Sequence, residues 1–290
     1  MNKITDLYLL TALSNLHVGR GDSNYGIVDN EVQRDTVTDY PTVFASSLKG
    51  ALREATRNHL GNVDEIFVFG SDVGDTRPDG TARAPKKLQQ GNYVFHQAHL
   101  LSLPVRGESF PYYHAVTPEL LRELYEQVEL LLPKEKELQK TLKEYSKLGT
   151  LPTPAAAEAA RVDEYDAGPF AGDQRKIVTA LQKLGLLEDP VALFGSGDFR
   201  NLCERLPVLA RNQLVRGISK NLFYEEVVPR RARFFFFVER PDDGQDRLEQ
   251  TLKKLNHRIQ LGANATIGYG VCTLRRVASS NSKNTDHASS

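Results

Sequence analysis

Residues 15–57 read NLHVGRGDSNYGIVDNEVQRDTVTDYPTVFASSLKGALREATR, and this stretch constrains how the chain can begin to fold. The run before it, residues 4–13, is rich in Leu, Tyr and Ile and alternates imperfectly, as a buried first strand does. A polar, Gly-rich loop then carries His17, Gly19, Arg20, Gly21 and Asp22. Gly26-Ile27-Val28 predicts a short second strand leading to Asp29, with Gln33 and Arg34 close behind. Pro41 ends the extended segment and Ser46-Ser47 opens a helix. Polar, charged and Gly residues crowded between apolar anchors suit a loop that contacts a ligand better than one that only connects elements.

The helix spans residues 47–60. Leu48, Ala51, Leu52, Ala55 and Leu60 recur at three- and four-residue spacing and give one apolar face. Ser46 or Ser47 can cap its start and Gly61 its end. Lys49, Arg53 and Arg57, four apart, form a stripe on another face. That stripe fits a solvated surface with Glu54 nearby. It also fits an anion contact, because the helix dipole disfavours a cation in the first turn unless an anionic partner compensates.

The 290 residues suffice for one large domain or two small ones. A formal net charge of zero and a pI near 7.1 argue against a strongly basic nucleic-acid binder, though local basic patches remain possible. Cys203 and Cys272 stand far apart, with neither metal-ligand spacing nor a disulfide framework, which points to a reducing compartment. The N-terminal run has no small-residue cleavage site, and no apolar run reaches the ~18 residues of a spanning helix, so a cytoplasmic location without a membrane is expected.

Further along, residues 71–90 are nearly devoid of large apolar side chains and predict a surface loop or an extended hairpin insertion. Residues 93–105 give the strongest strand pattern. Thr117-Pro118-Glu119 starts a helix that runs to residue 132, where Pro133 breaks it, and a charged helix covers residues 134–147. Residues 149–172 are Pro-, Ala- and Gly-rich, with a possible strand over 160–165. Helices are predicted over residues 174–184 and 198–212. Residues 214–228 and 231–239, the latter with FFFFV, read as strands joined by a turn at Pro229. Pro241-Asp242-Asp243 starts an amphipathic helix to residue 256, and strands over 258–261 and 269–275 flank GANATIG. Strand, helix, strand early and again late is the split-βαβ pattern. It predicts an α+β fold with a ferredoxin-like sheet, helices on one face and the inserted helices as an α-rich lobe.

HVGRGDSNYGIVDNEVQRD, the SSLKGALR helix start, LLSLPVRG near residue 100, NLFYEEVVP near residue 221 and GANATIGYG together resemble the RAMP superfamily of CRISPR proteins. Within it, the likeness is to the backbone subunit of the type III-B, or Cmr, effector complex. It covers residues 7–277. The resemblance implies a modified ferredoxin-like (RNA-recognition-like) sheet in a single RAMP domain over residues 1–277, with insertions around 71–92 and 117–212 and a disordered tail at 278–290. It implies guide CRISPR RNA, target RNA, copies of the chain in a head-to-tail filament and other Cmr complex subunits as partners. It implies an inserted thumb hairpin, within residues 71–90 or 161–176, that flips a base at intervals. It also implies endoribonuclease activity on guide-paired target RNA with Mg2+ or another divalent metal. By motif position the catalytic, metal-holding carboxylate is Asp29, the loop histidine is His17, and Tyr224, Glu225 and Glu226 are the remaining catalytic candidates. Two departures are Ala45, where many relatives place Gly, and the neutral overall charge.

RNA cleavage needs a deprotonated 2′-hydroxyl or water, charge relief at the phosphate and a proton for the leaving 5′-oxygen. Asp29 suits a hydrated Mg2+, which usually takes one or two carboxylates plus phosphate oxygens; without the resemblance it would read as a turn or cap. His17 suits general acid–base work or a structural bond to a loop carbonyl. Glu225-Glu226 can equally be a solvated strand edge. RNA-binding candidates are Arg20, Lys49, Arg53, Arg57, Arg216 and Lys220, with Gly262, Asn264, Thr266, Gly268 and Gly270 of a loop whose backbone N–H groups can approach phosphate. Two other functions compete with target cleavage: a non-catalytic RNA-binding filament subunit, and a metal-independent guide-processing ribonuclease centred on a histidine.

Overall fold

The computed structural model describes residues 3–21, 28–71, 88–148, 152–216 and 218–281. Its strands are β1 (Lys3–Ala12), β2 (Thr42–Val43), β3 (Val94–Phe95), β4 (Ala98–Val105), β5 (Tyr113–Val116), β6 (Ala155–Ala156), β7 (Ala160–Val162), β8 (Tyr165–Pro169), β9 (Val191–Leu193), β10 (Val208–Val215), β11 (Ile218–Glu226), β12 (Arg233–Pro241), β13 (Arg258–Gln260) and β14 (Val271–Ser279). Its helices are α1 (Ala45–Thr56), α2 (Asn62–Phe69), α3 (Pro118–Leu131), α4 (Lys136–Lys143), α5 (Tyr145–Leu148), α6 (Gly172–Lys183), α7 (Ser196–Glu204) and α8 (Arg247–Lys254).

Among the described residues one large, mostly antiparallel sheet runs β13-β14-β1-β12-β4-β5-β9-β6-β8-β7, with β2 paired to β4 and β3 to β12. Only the β5–β9 and β6–β8 pairs are parallel. The centre is apolar on both faces. Tyr8 and Leu10 of β1, with Phe234 and Phe236 of β12, turn to one side. Leu48 and Leu52 of α1 and Leu248 and Leu252 of α8 cover them there. Leu7, Leu9, Phe235 and Phe237 turn to the other side, beneath Leu121 and Leu124 of α3, Leu138 and Leu142 of α4 and Ile177 of α6. A strand buried on both faces loses its polar alternation, which is why the FFFFV run is continuous. Each such phenylalanine contributes about 1.5–3 kcal/mol by leaving water.

The sheet differs from the sequence expectations in several places. The 93–105 strand is two strands, β3 and β4, both paired with β12; the four steps from Phe95 to His99 oppose only three on β12, from Val238 to Phe235, so the ladder breaks between them. The 134–147 helix divides into α4 and α5. The helix expected over 198–212 stops at Glu204, ahead of Pro207, and residues 208–215 become β10 because β11 supplies a full antiparallel ladder. Helix α2 follows α1 where no helix was expected; it is apolar apart from Asn62, Asp64 and Glu65 at its start. The expected Gly26-Ile27-Val28 strand falls largely outside the described residues, as do most of the 71–92 insertion and residues 282–290. Residues 278–279 of the expected disordered tail belong instead to β14, because its ladder with β1 continues through Ala278 and Ser279. Among the described residues no helix is long and apolar enough to cross a membrane.

The β10–β11 hairpin pairs with no strand of the large sheet among the described residues. Val208, Ile218 and Leu222 on it are 43, 65 and 54% exposed. It projects from the body with apolar side chains in water.

Candidate functional site

Four segments meet where β11 returns to the body: the loop after β1, residues 28–34, the end of β11, and the Gly-rich loop between β13 and β14. Asp29 is exposed and is fixed by the backbone of Tyr224. The N–H groups of Asp29 and Asn30 both donate to the Tyr224 carbonyl at 3.1 Å. The Tyr224 N–H donates back to Asp29 Oδ2 at 2.7 Å. Oδ1 of Asp29 has no hydrogen-bond partner among the described residues. One oxygen is tied to the strand and the other is open.

His17, Glu225 and Glu226 lie behind this point, 4, 4 and 6% exposed. His17 Nδ1 is 2.7 Å from the Glu226 carbonyl oxygen, which only accepts, so Nδ1 carries the proton. Glu226 takes a hydrogen bond from Arg34 Nη2 at 2.5 Å and one from the Val32 N–H at 3.0 Å. Arg34 also donates to the carbonyls of Cys203 and Asp39. Glu225 accepts from Arg211 Nη1 at 2.9 Å and from Asn264 Nδ2 at 2.9 Å to each oxygen. His17 Nε2 stands 3.8 Å from Glu225 Oε1, longer than a hydrogen bond. The two glutamates are therefore buried and satisfied, not a solvated strand edge. His17 makes the structural bond to a backbone carbonyl. Tyr224, by contrast, is 38% exposed.

The Gly-rich loop closes against the first loop by backbone contact. A Cβ at Gly262, whose φ is 79°, would lie 2.2 Å from the His17 carbonyl oxygen. A Cβ at Gly270, φ 72°, would lie 1.9 Å from that of Leu261. The Ala263 N–H donates to His17 O at 2.9 Å and the Gly270 N–H to Asn15 O at 2.8 Å. Asn264, left-handed at φ 66°, turns its side chain inward to Glu225. Thr266 and Gly268 face solvent. Of the loop candidates, Gly262 and Gly270 serve the loop–loop contact and Asn264 the contact with β11, while Thr266 and Gly268 lie on the outer surface.

The basic candidates divide likewise. Arg20 is exposed, 3.5 Å from Glu31. Lys49 has no ion-pair partner among the described residues. Arg53 is engaged by Glu65 at 3.2 Å, by the Gly70 carbonyl and by the Phe69 ring, so it is a structural cation. Arg57 pairs with Glu54 at 3.2 Å. Arg216 and Lys220 are exposed near the tip of the β10–β11 hairpin. Ser46 and Ser47 do not cap α1; its N-cap is Phe44, whose N–H donates to Gln33 Oε1 at 2.7 Å. Gln33, 5% exposed, also donates to Ser47 Oγ and the Gly19 carbonyl, so it ties the first loop to the start of α1.

Sequence reasoning assigned no role to Gln33, Arg34 or Arg211. Gln33 and Arg34 sit beside Asp29 in sequence, but their partners are distant, and Arg211 lay inside an expected helix. Burial pushes the Cys272 thiol up to about 12 and raises Cys203 as well, so both stay protonated. Asp35 titrates below the usual range: its burial works against that, but amide and hydroxyl hydrogen bonds from Thr38 and Val37 outweigh it. Among the described residues no group of three or more His, Cys, Asp or Glu is placed to hold a metal ion.

The sequence profile of the RAMP superfamily matches residues 9–273. Over 294 residues, 92% of each chain, the protein is 25% identical to the CRISPR system Cmr endoribonuclease Cmr4 of Pyrococcus furiosus. Over 124 residues it is 33% identical to the CRISPR system CMR subunit Cmr4 of Saccharolobus solfataricus. That second match takes in 40% of this chain and 36% of the relative, so it spans about a third of that relative's length. The cryo-EM structure of a type III-B Cmr-beta bound to cognate target RNA contains a chain that superposes with a TM-score of 0.73. The superposition covers 94% of this chain and 97% of that one at 21% identity, a likeness of fold.

Proposed function

This chain belongs to the RAMP superfamily, and from that premise we propose that it is a guide-RNA-binding backbone subunit of a Cmr-type CRISPR effector, cutting guide-paired target RNA at Asp29 with a divalent metal. The observation that carries the reading is the end-to-end match, 92% of each chain, to a Cmr endoribonuclease. The fold supports it. The order β14-β1-β12-β4, all neighbours antiparallel, with α1 and α8 on one face, is the arrangement expected of a ferredoxin-like, RNA-recognition-like core. The helices between β5 and β10 form the inserted lobe. Other Cmr subunits and further copies of the chain are the expected partners, in the cytoplasm.

The free-standing β10–β11 hairpin is the segment we assign as the thumb, in place of residues 71–90 or 161–176. Within the second of those ranges, β7–β8 is tied into the large sheet through β6 and through a bridge from Gly107 to Val162. The exposed Ile218 and Leu222 of β11 suit a wedge against a base, and Arg216 and Lys220 suit phosphate.

The donor set at Asp29 fits Mg2+, which takes few protein carboxylates and completes its shell with water and phosphate oxygens. When bound there it supplies charge relief at the scissile phosphate. The protein's own part is positional. The Tyr224 N–H holds Oδ2 of Asp29 and leaves Oδ1 facing out. His17, Glu225 and Glu226, packed behind, fix the end of β11 to which Asp29 is bonded. A histidine-centred guide-processing ribonuclease draws no support from a His17 that is 4% exposed.

The test is cleavage of target RNA by the reconstituted complex. Asn has nearly the shape of Asp without its charge. Asp29→Asn is expected to keep guide binding and assembly near wild type while cleavage falls about a hundredfold or more, the scale for losing a preorganised charge-stabilising group. A chelator is expected to stop wild-type cutting. Full cleavage by Asp29→Asn, in a complex whose other subunits do not cut, would leave a non-catalytic filament subunit as the reading.

A further inference from the structure

Glu225 carries a buried carboxylate for which the cleavage chemistry above has no use. Removing an ionised carboxylate from water costs several kcal/mol unless partners satisfy it. Its partners come from three separate segments: Arg211 from β10, Asn264 from the Gly-rich loop, and His17 of the first loop at 3.8 Å. Arg211 is itself aligned by Phe223, its guanidinium 5.5 Å from the ring centroid. Asn264 reaches Glu225 from a left-handed backbone position that Asn tolerates better than most residues. On the same strand, Tyr224 holds Asp29 through its backbone, and Asn30 bridges to Glu225.

We propose that Arg211, Glu225 and Asn264 form a latch that fixes the β10–β11 hairpin against the Gly-rich loop, and that all three are positioning residues for Asp29. A bound RNA that engages the hairpin and the loop together then meets Asp29 at one geometry. Without the latch the hairpin keeps only its base contacts, from Asp29, Asn30, Val32 and Arg34 to residues 224–226, and swings about them, because no strand of the large sheet pairs with it among the described residues. Glu225 does not transfer a proton in this scheme. Its carboxylate is shielded from solvent and held by a guanidinium.

The inference rests on the cleavage reading only for its catalytic consequence, so the test has two arms. In the first, hydrogen exchange is followed on the isolated full chain across β10 and β11. Arg211→Met, Glu225→Gln and Asn264→Asp, the last setting a like charge against Glu225, are each expected to speed exchange along the hairpin about tenfold, with little change in β1 and β12. Arg211→Lys is expected to restore part of the protection. In the second arm the reconstituted complex is assayed on target RNA. Each variant is expected to lower kcat about tenfold with an unchanged shape of the pH–rate profile. The Arg211→Met/Glu225→Gln double variant is expected to be no worse than the poorer single one, as for residues acting through one contact network. Wild-type exchange in all the variants would overturn the latch. So would a Glu225→Gln complex that loses a limb of its pH–rate profile while Arg211→Met cleaves normally, since Glu225 would then be moving a proton. A wild-type complex that fails to cut would remove the cleavage reading and leave the exchange arm to decide the latch.

Discussion

Gly270 and Gly268 both hold a left-handed backbone, yet only Gly270 is hemmed in. Its Cβ would fall 1.9 Å from the Leu261 carbonyl oxygen, whereas nothing lies within 4 Å of a Cβ at Gly268. Gly268→Ala should therefore cost only the conformational penalty, about 1–2 kcal/mol. Gly270→Ala adds a backbone clash and should cost more than about 3 kcal/mol, both read from urea midpoints. Near-equal losses would mean that Gly270 does not approach the Leu261 carbonyl, across the mouth of its own loop, as closely as described. His114 offers a second test. Burial first, and then the charge of Arg233, push its imidazole down to about 4. In the unfolded chain it titrates near ~6.5. Below that pH the unfolded state takes a proton that the folded state refuses. The contribution of His114 is thus complete above about 6.5 and is lost as pH falls toward 4, amounting to about 3 kcal/mol over the full gap. Urea midpoints from pH 7 to 4 should show this slope in wild type and a flatter one in His114→Gln. Parallel curves would assign the titration to other groups.

At the scale of the element, α1 shows how a single stripe divides between two jobs. Arg53 is 15% exposed along its side chain and its partner Glu65 is 9% exposed. Breaking a pair that buried leaves a charge stranded, so Arg53→Met should cost about 3 kcal/mol or more in a urea titration. Lys49 reaches no carboxylate among the described residues, and Lys49→Met should leave stability within about 0.5 kcal/mol. It should weaken guide-RNA binding across sequences and lower the slope of log affinity against log salt by about one. If Lys49→Met changed stability and left binding alone, the stripe would have no RNA role. The four-residue spacing was legible in the sequence; the partner of each cation was not. Glu65 lies on α2, an element with too little amphipathic pattern to be foreseen. The β10–β11 hairpin was hidden for a related reason. Apolar spacing up to residue 212 is as helical as it is extended, and only the ladder from Val208–Glu226 to Val215–Ile218 decides it.

For the whole molecule, the proposed filament requires two different faces of the chain to meet, a heterologous contact that does not close on itself. Scattering or electron microscopy with guide RNAs of increasing length should show particles that lengthen with the RNA. A two-fold dimer indifferent to RNA length would contradict the filament. The sequence by itself determined the α+β class, the strand–helix–strand order at both ends of the chain, the apolar centre of β1 and β12, and the few loops from which a site could be built. Those features rest on local periodicity, turn residues and short motifs, which act over a few positions. Only the tertiary structure decided that Asp29 is held by the backbone of Tyr224, 195 residues away, and that Glu225 and Glu226 turn inward while Tyr224 stays at the surface. Only it decided, too, that two glycines of the last loop serve contact with the first. A carboxylate's exposure and partners depend on which distant segments the sheet brings beside it, and no spacing along one chain encodes that meeting.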